Sequence, residues 1–462
     1  MNKVKISFVI PQNLQQEFKE KMVKDGYDLK GKSRWVAEAI CHLLTMQTYA
    51  DLVKINDEMS AHPQAKGNGR VLNYPRKIWQ RVRHLLPIKG FHFDRPIVVL
   101  QSDDWGRVGL RDQEGFQQLR SAGLALGERP YDLYGLETAE DVGALRSVLQ
   151  RHHDSTGRSP CLGMNFVVAN LDFKRIAAGG FREIHLVPLS EGLPAGWDRP
   201  RLLDAYREGI AEGCFQPALH GTTHFCRASV ERHLADAGER GALLRLLWQA
   251  GTPYIHWRMP WIGYEYWDPG RSEDERFLAA ETQSELIGHA VGAFAKLFSS
   301  VPRSACAPGY RANEDTHRAW AQYGIRVGQN GPGMLTPPHI DPHGILQLCR
   351  TVEFEPAVDP AFSGETCVRD AEECFACGIP AIVSVHSINF HSSVKDFRGR
   401  TLDVLDQFLS ALEAKHPDLL YLHDEDLYNL VSNGSYESAS GAVRVNVTRK
   451  SFAKWQFARR QK

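Results

Sequence analysis

Residues 96–106 read PIVVLQSDDWG: an apolar run, then two adjacent carboxylates, then a glycine. A short run of β-branched and aliphatic residues with no polar alternation suits a strand buried on both faces. Similar runs recur along the chain: CLGMNFVVAN (161–170), CFQPALH (214–220), RSACAPGY (303–310), IRVGQN (325–330), ILQLCRTVEF (345–354), PAIVSVHS (380–387) and LLYLH (419–423). Amphipathic patterns over 138–152, 201–212, 227–250, 274–298, 313–323, 367–377 and 400–414 predict helices between them. Strands alternating with helices imply an α/β fold with a parallel sheet, either a barrel or a doubly wound sheet, and seven or eight such units favour the barrel.

Composition narrows the class. The 462 residues are 43% hydrophobic, enough to bury a core. Lys+Arg equals Asp+Glu at 55 each, so no global field draws the chain to nucleic acid. Nine cysteines at 41, 161, 214, 226, 306, 349, 367, 374 and 377 show no framework spacing, which reads as free thiols and a cytoplasmic setting. The one CxxC, Cys374 to Cys377, has no second pair or nearby histidine to complete a zinc site. No stretch reaches the ~20 apolar residues of a membrane span.

In a parallel sheet the chemistry gathers just beyond the strands' carboxyl ends. There the sequence places Asp103 and Asp104, then His220 and His224 in HGTTH, then ACAPGYR (305–311) and VSVHS (383–387). Two imidazoles four positions apart on a starting helix converge on one point, and a carboxylate from another strand end completes an open three-ligand cation site. Adjacent aspartates diverge, so one is expected to bind the cation while the other stays free as a base. Trp257, Trp261, Tyr264, Tyr266 and Trp267 crowd one loop, which suits either sugar stacking or packing under the rim.

These residues resemble the polysaccharide deacetylase, or NodB-homology, family of carbohydrate esterases over about 95–430. The first family motif, TFDDG, is matched by residues 101–106 with a tryptophan inserted before the glycine. The second, H(S/T)xxH, is matched by 220–224 with Gly221 in place of the hydroxyl residue. The resemblance implies a distorted (β/α)7 barrel and a divalent metal ion, zinc first among them, held by Asp104, His220 and His224. It makes Asp103 the catalytic base, places a backbone N–H of Gly309 or Tyr310 at the oxyanion, and makes His386 the general acid; the sequence leaves His391, His339 and His343 as further candidates for that acid. The third motif departs from the pattern: Cys306 stands where an arginine is expected, leaving Arg311 or Arg258 to approach the base from elsewhere. No match to the fourth, Asp-Trp motif is found. The implied activity is metal-dependent removal of an N- or O-acyl group, acetyl first, from a carbohydrate. The alternative is a DNA-binding regulator whose barrel senses a ligand without turnover.

Residues 3–10, KVKISFVI, alternate as a half-buried strand, and two amphipathic helices follow. Over residues 1–48 this resembles the ribbon-helix-helix family, which implies a homodimer and DNA contact through Lys3, Lys5 and Ser7; the other reading is a dimerisation module with a solvated lysine face. The expected organisation is a ribbon-helix-helix-like module over 1–58, a linker over 59–72, the deacetylase-like barrel over 73–435 and a polar tail over 436–462.

Overall fold

In the computed structural model residues 88–452 are described, apart from 237, 333–335 and 439–440. The ribbon-helix-helix-like module, the linker and the first part of the expected barrel segment, up to residue 87, lie outside the described residues.

A ten-stranded sheet organises the remainder. In chain order its strands are β1 (Ile97–Trp105), β2 (Leu162–Phe166), β3 (Phe215–Leu219), β4 (Ser304–Cys306), β5 (Val327–Asn330), β6 (His339–Ile340), β7 (Leu346–Cys349), β8 (Val352–Glu353), β9 (Ala381–His386) and β10 (Leu420–Tyr421). The spatial order is β8-β9-β1-β2-β3-β4-β5-β7-β6, with β10 beside the start of β1. Every ladder is parallel except β7 with β6. All eight apolar runs named from the sequence supply strands of this sheet, because burial on both faces leaves the same unbroken hydrophobic signature in each.

The expected barrel is matched as a mostly parallel sheet whose two flanks meet in one segment: only residues 350 and 351 separate β7, which pairs with β5, from β8, which pairs with β9. Among the described residues no ladder joins β8 to the far end of the path. The Arg350 N–H donates to the Asn330 carbonyl at 3.1 Å and the next N–H, that of Thr351, to the Ile382 carbonyl at 2.9 Å, so this segment bonds to both flanks, while β6 lies antiparallel on β7.

Alternation along β1 sets up the site. Val98 and Leu100 pack into the large core shared with the surrounding helices, whereas Ile97 and Val99 join a second cluster with Leu346, Ile382, Leu427 and Leu430. The face carrying Ile97 and Val99 continues through buried Gln101 to Asp103. Gln101 and Gln329 each donate to Asp424 at 2.7 Å, so a polar layer separates the apolar cluster from the rim. Asp424 opens the helix Asp424–Asn433.

Local chemistry explains the other differences from expectation. The single helix expected over 227–250 is two, Arg227–Ala235 and Glu239–Gln249, because Asp236 accepts the Gly238 N–H and Gly238 caps the second. Helices Gln113–Ser121 and Asp424–Asn433 lie outside the expected helical patterns; Asp112 caps the first by accepting the Gly115 N–H at 2.7 Å. The segment expected as a polar tail carries strands instead. Ser435–Ser438 pairs with Gly441–Arg444, and Val447–Phe452 pairs antiparallel with Ile88–Phe93. No helix among the described residues is long and apolar enough to cross a membrane.

Candidate active site

Successive residues of a regular strand point to opposite faces, so Asp103 and Asp104 would not share a site. The backbone changes that. The β1–β2 register shifts between Ser102 and Trp105, and Asp104 adopts φ 76°, with Gly106 following at φ 70°. This bulge re-aims Asp104 toward the space above Asp103. A left-handed non-glycine residue costs on the order of 1–2 kcal/mol, and neighbours hold it in place. Tyr134 donates its hydroxyl to the Asp104 carbonyl at 2.8 Å, Glu137 accepts the Gly106 N–H at 2.9 Å, and Asn170 donates to the Gly106 carbonyl at 2.8 Å. Buried Glu137 is itself flanked by Tyr206 and by His391, 3.0 Å away.

The two histidines lie in the loop ahead of the helix Arg227–Ala235, not on a starting helix as expected. Their convergence therefore depends on how the loop is pinned. Buried Glu265 accepts the Thr222 N–H at 2.9 and 3.1 Å and the Thr223 N–H at 3.3 Å. Gly221 sits at φ 78°, and a Cβ there would stand 2.0 Å from Glu265 Oε2. Glycine replaces the expected hydroxyl residue because the carboxylate occupies that space and takes the loop amides. Burial raises the Glu265 carboxyl to about 7.

Asp104 Oδ1 lies 3.4 Å from His224 Nε2 and 3.7 Å from His220 Nε2. Ligand atoms on a tetrahedral zinc with bonds of 2.0–2.1 Å stand about 3.3 Å apart, so the spacing fits a cation. Three further observations agree. Asp104 Oδ1 is buried with no hydrogen-bond partner. His220 Nδ1 donates to the Cys306 carbonyl at 2.8 Å, which fixes the tautomer and leaves the Nε2 lone pair toward Asp104. Burial, with Arg107 and His220 nearby, holds the His224 imidazole well below its usual range and therefore neutral. Asp103, His220 and Cys306 also cluster, but both Asp103 oxygens are engaged elsewhere.

That engagement is with Arg350, a residue sequence reasoning missed. Its fully buried guanidinium pairs with Asp103 through both oxygens, at 2.7 and 2.5 Å, and also reaches Gln101 at 3.2 Å and Gln329 at 3.1 Å. Burial alone would raise the Asp103 carboxyl; Arg350, His220 and His386 outweigh it and hold it far below the usual carboxylate range. Asn165 donates to Asp103 at 2.7 Å. Cys306, in the position where arginine was expected, places Sγ 3.9 Å from Asp103 as a neutral thiol raised by burial. Arg258 instead pairs with Asp132 at 2.9 Å, and Arg311 lies over the Trp267 ring.

His386 stands opposite Asp103 in the β9–β1 register, its Nε2 3.9 Å from Asp103 Oδ2. Its Nδ1 is 2.5 Å from Glu355, the second missed residue. Burial would lower the His386 imidazole, but Glu355 outweighs it and raises the value to about 9. Arg350 and Glu355 both come from Arg350-Thr351-Val352-Glu353-Phe354-Glu355, directly beyond β7 and around β8. Inspecting that strand end as closely as the others would have found them. Among the other histidines considered, His391 faces Glu137, and neither His339 nor His343 lines the cavity.

These groups surround a cavity of about 300 Å³, walled by Tyr131, Tyr134, Tyr254, Trp257 and Tyr264. Of the crowded aromatics, Trp257 and Tyr264 line it, while Tyr266 is buried behind. Tyr310 reaches Arg350 Nη1 with its hydroxyl at 2.9 Å. Its N–H is committed to the Ala307 carbonyl at 2.8 Å, which leaves cavity-lining Gly309 as the candidate oxyanion donor.

No family profile matches the chain, and no curated protein does. Solved structures with a related arrangement share little sequence. A family 4 carbohydrate esterase from Streptomyces lividans in complex with acetate is 11% identical, covering 70% of this chain and 90% of its own, with TM-score 0.30. The CE4 domain of a multidomain xylanase from the hindgut metagenome of Trinervitermes trinervoides is 9% identical, covering 73% and 92%, with TM-score 0.32. A CE4 family pseudoenzyme from Bacillus anthracis is 10% identical, covering 73% and 66%, with TM-score 0.32.

Proposed function

We propose that the chain is a metal-dependent hydrolase that removes an acyl group, acetyl in the first instance, from a carbohydrate. The observation that carries this reading is the division of labour at the end of β1: Asp103 is fully engaged by Arg350, while Asp104 turns a bare oxygen to two imidazoles. A divalent cation held by Asp104, His220 and His224, zinc in the first place, would polarise an acyl carbonyl and lower the pKa of water toward ~7. Asp103, ionised throughout the working range, accepts the attacking water's proton. The Gly309 N–H meets the developing oxyanion, with Tyr310 steadying the Arg350 guanidinium behind it. Protonated His386, charged by Glu355, donates to the departing amine or alcohol. The aromatic walls exclude water and offer stacking faces to a sugar ring.

Hydrolysis is preferred to a ligand-sensing barrel because base, acid and cation ligands each have a dedicated partner, an outlay of buried charge that binding alone does not require. Asp103→Asn should abolish acetate release from acetylated oligosaccharides while the cation content stays at wild-type level; unchanged turnover would remove Asp103 as the base. For residues 1–48 we propose, on the sequence pattern alone, a homodimer that contacts DNA, and a gel shift of the full chain on duplex DNA at two salt concentrations tests it.

A further inference from the structure

Arg107 has no part in the chemistry above, yet its guanidinium lines the cavity and is only 7% exposed. Nη2 lies 3.1 Å from Asp104 Oδ2, Nη1 lies 3.3 Å from the Tyr254 hydroxyl, and Nε has no partner. Cζ stands 3.9 Å over the Tyr134 ring. A guanidinium this close to a cation-ligand carboxylate opposes the cation, so a site built only to hold the ion would be better without it.

Counting charge shows what the guanidinium is matched to. Asp103 is offset by Arg350, Asp104 by Arg107, Glu355 by His386, and Asp132, the remaining acid of the wall, by Arg258. The cavity is therefore neutral by itself. A divalent cation held there would bring two charges into a space walled by aromatic rings, and hydroxide would offset only one. The remaining positive charge calls for a negative one carried in by the ligand. Beside Arg107 the wall also holds His256, whose two ring nitrogens are both buried without a partner. It stacks on Tyr264 at 4.4 Å and meets His224 edge-on at 5.3 Å.

We propose that the cavity takes an anionic sugar, one whose ring bears a carboxylate, and that Arg107 with His256 receives that carboxylate. This rests on the cation reading of Asp104, His220 and His224. The test compares methyl glucuronide with methyl glucoside, which differ only at carbon 6 and carry no acyl group to be turned over. Each is titrated into the zinc-loaded full chain and followed by NMR of the sugar signals. The uronide should bind at least tenfold tighter. Arg107→Met should erase that preference, and Arg107→Lys, which keeps the charge without the fork, should retain part of it. Equal affinity for the two sugars, binding of neither, or a preference unchanged in Arg107→Met overturns the proposal. The wild-type comparison decides even if a variant fails to fold. Acetate release is measured separately: its absence alongside an intact uronide preference would sink the hydrolase reading and leave this one standing.

Discussion

Arg350 meets Asp103 from 247 positions further along the chain, with Nη1 2.7 Å from Oδ2. Both side chains are buried, so neither charge has water to turn to if the other is removed. Arg350→Met should destabilise the fold by about 3–5 kcal/mol, the cost of stranding a buried charge. Denaturant unfolding measures it. Adding Asp103→Asn to that variant should recover part of the loss, because the two effects are coupled; strict additivity would mean the pair is not an energetic unit.

His386 predicts the basic limb of the pH profile. Its folded-state value is raised to about 9, so the protonated form persists through neutrality and is lost as pH rises through that value. A bound cation repels the imidazolium and brings the limb somewhat lower. Accordingly, kcat/KM should fall on the alkaline side at or below about pH 9. Glu355→Gln should move that limb down by about one unit or more, since it removes the carboxylate holding the proton in place. A limb that ignores Glu355→Gln would assign the acid elsewhere.

Glu265 acts on the cation through the loop it pins. Glu265→Ala frees the Thr222 and Thr223 amides, and cation affinity should drop by about 10–100-fold, the usual effect of losing a residue that orients the ligands. Glu265→Gln, which keeps one acceptor, should lose less. Gly221→Ala should be as damaging as Glu265→Ala, because its Cβ needs the space of Oε2 and its φ of 78° is costly for alanine. Equilibrium dialysis with zinc reports all three.

Removal of the cation gives the broadest check. Dialysis against a chelator should abolish acetate release, and returning zinc should restore it. His220→Ala and His224→Ala should each fail to retain the ion. Arg107→Met should hold it at least tenfold more tightly than wild type, because the guanidinium no longer competes for Asp104. Weaker retention in Arg107→Met would show that the arginine supports the ligand carboxylate instead of opposing the cation.

Much of this arrangement was legible one residue run at a time. The eight apolar stretches mark the sheet, and Asp103, Asp104, His220, His224 and His386 all stand at or beyond the carboxyl ends of strands, where parallel sheets collect polar groups. Burial on both faces imposes a hydrophobic signature that no long-range contact is needed to read. The histidine pair was legible as a spacing but not as a shape, since a loop pinned by Glu265, rather than a helix, brings the imidazoles together.

Residue order alone thus determined which segments become strands and which carboxylates and imidazoles stand at their ends, because those properties follow from local periodicity. Tertiary structure decided the partners. Cys306 leaves the base without its expected arginine, and Arg350 fills that role from just beyond β7 because parallel strands bring their carboxyl ends to one rim whatever their separation in the chain. Glu355 charges His386 for the same reason. A buried charge must find its counterpart in space, and spacing along the sequence does not record that distance.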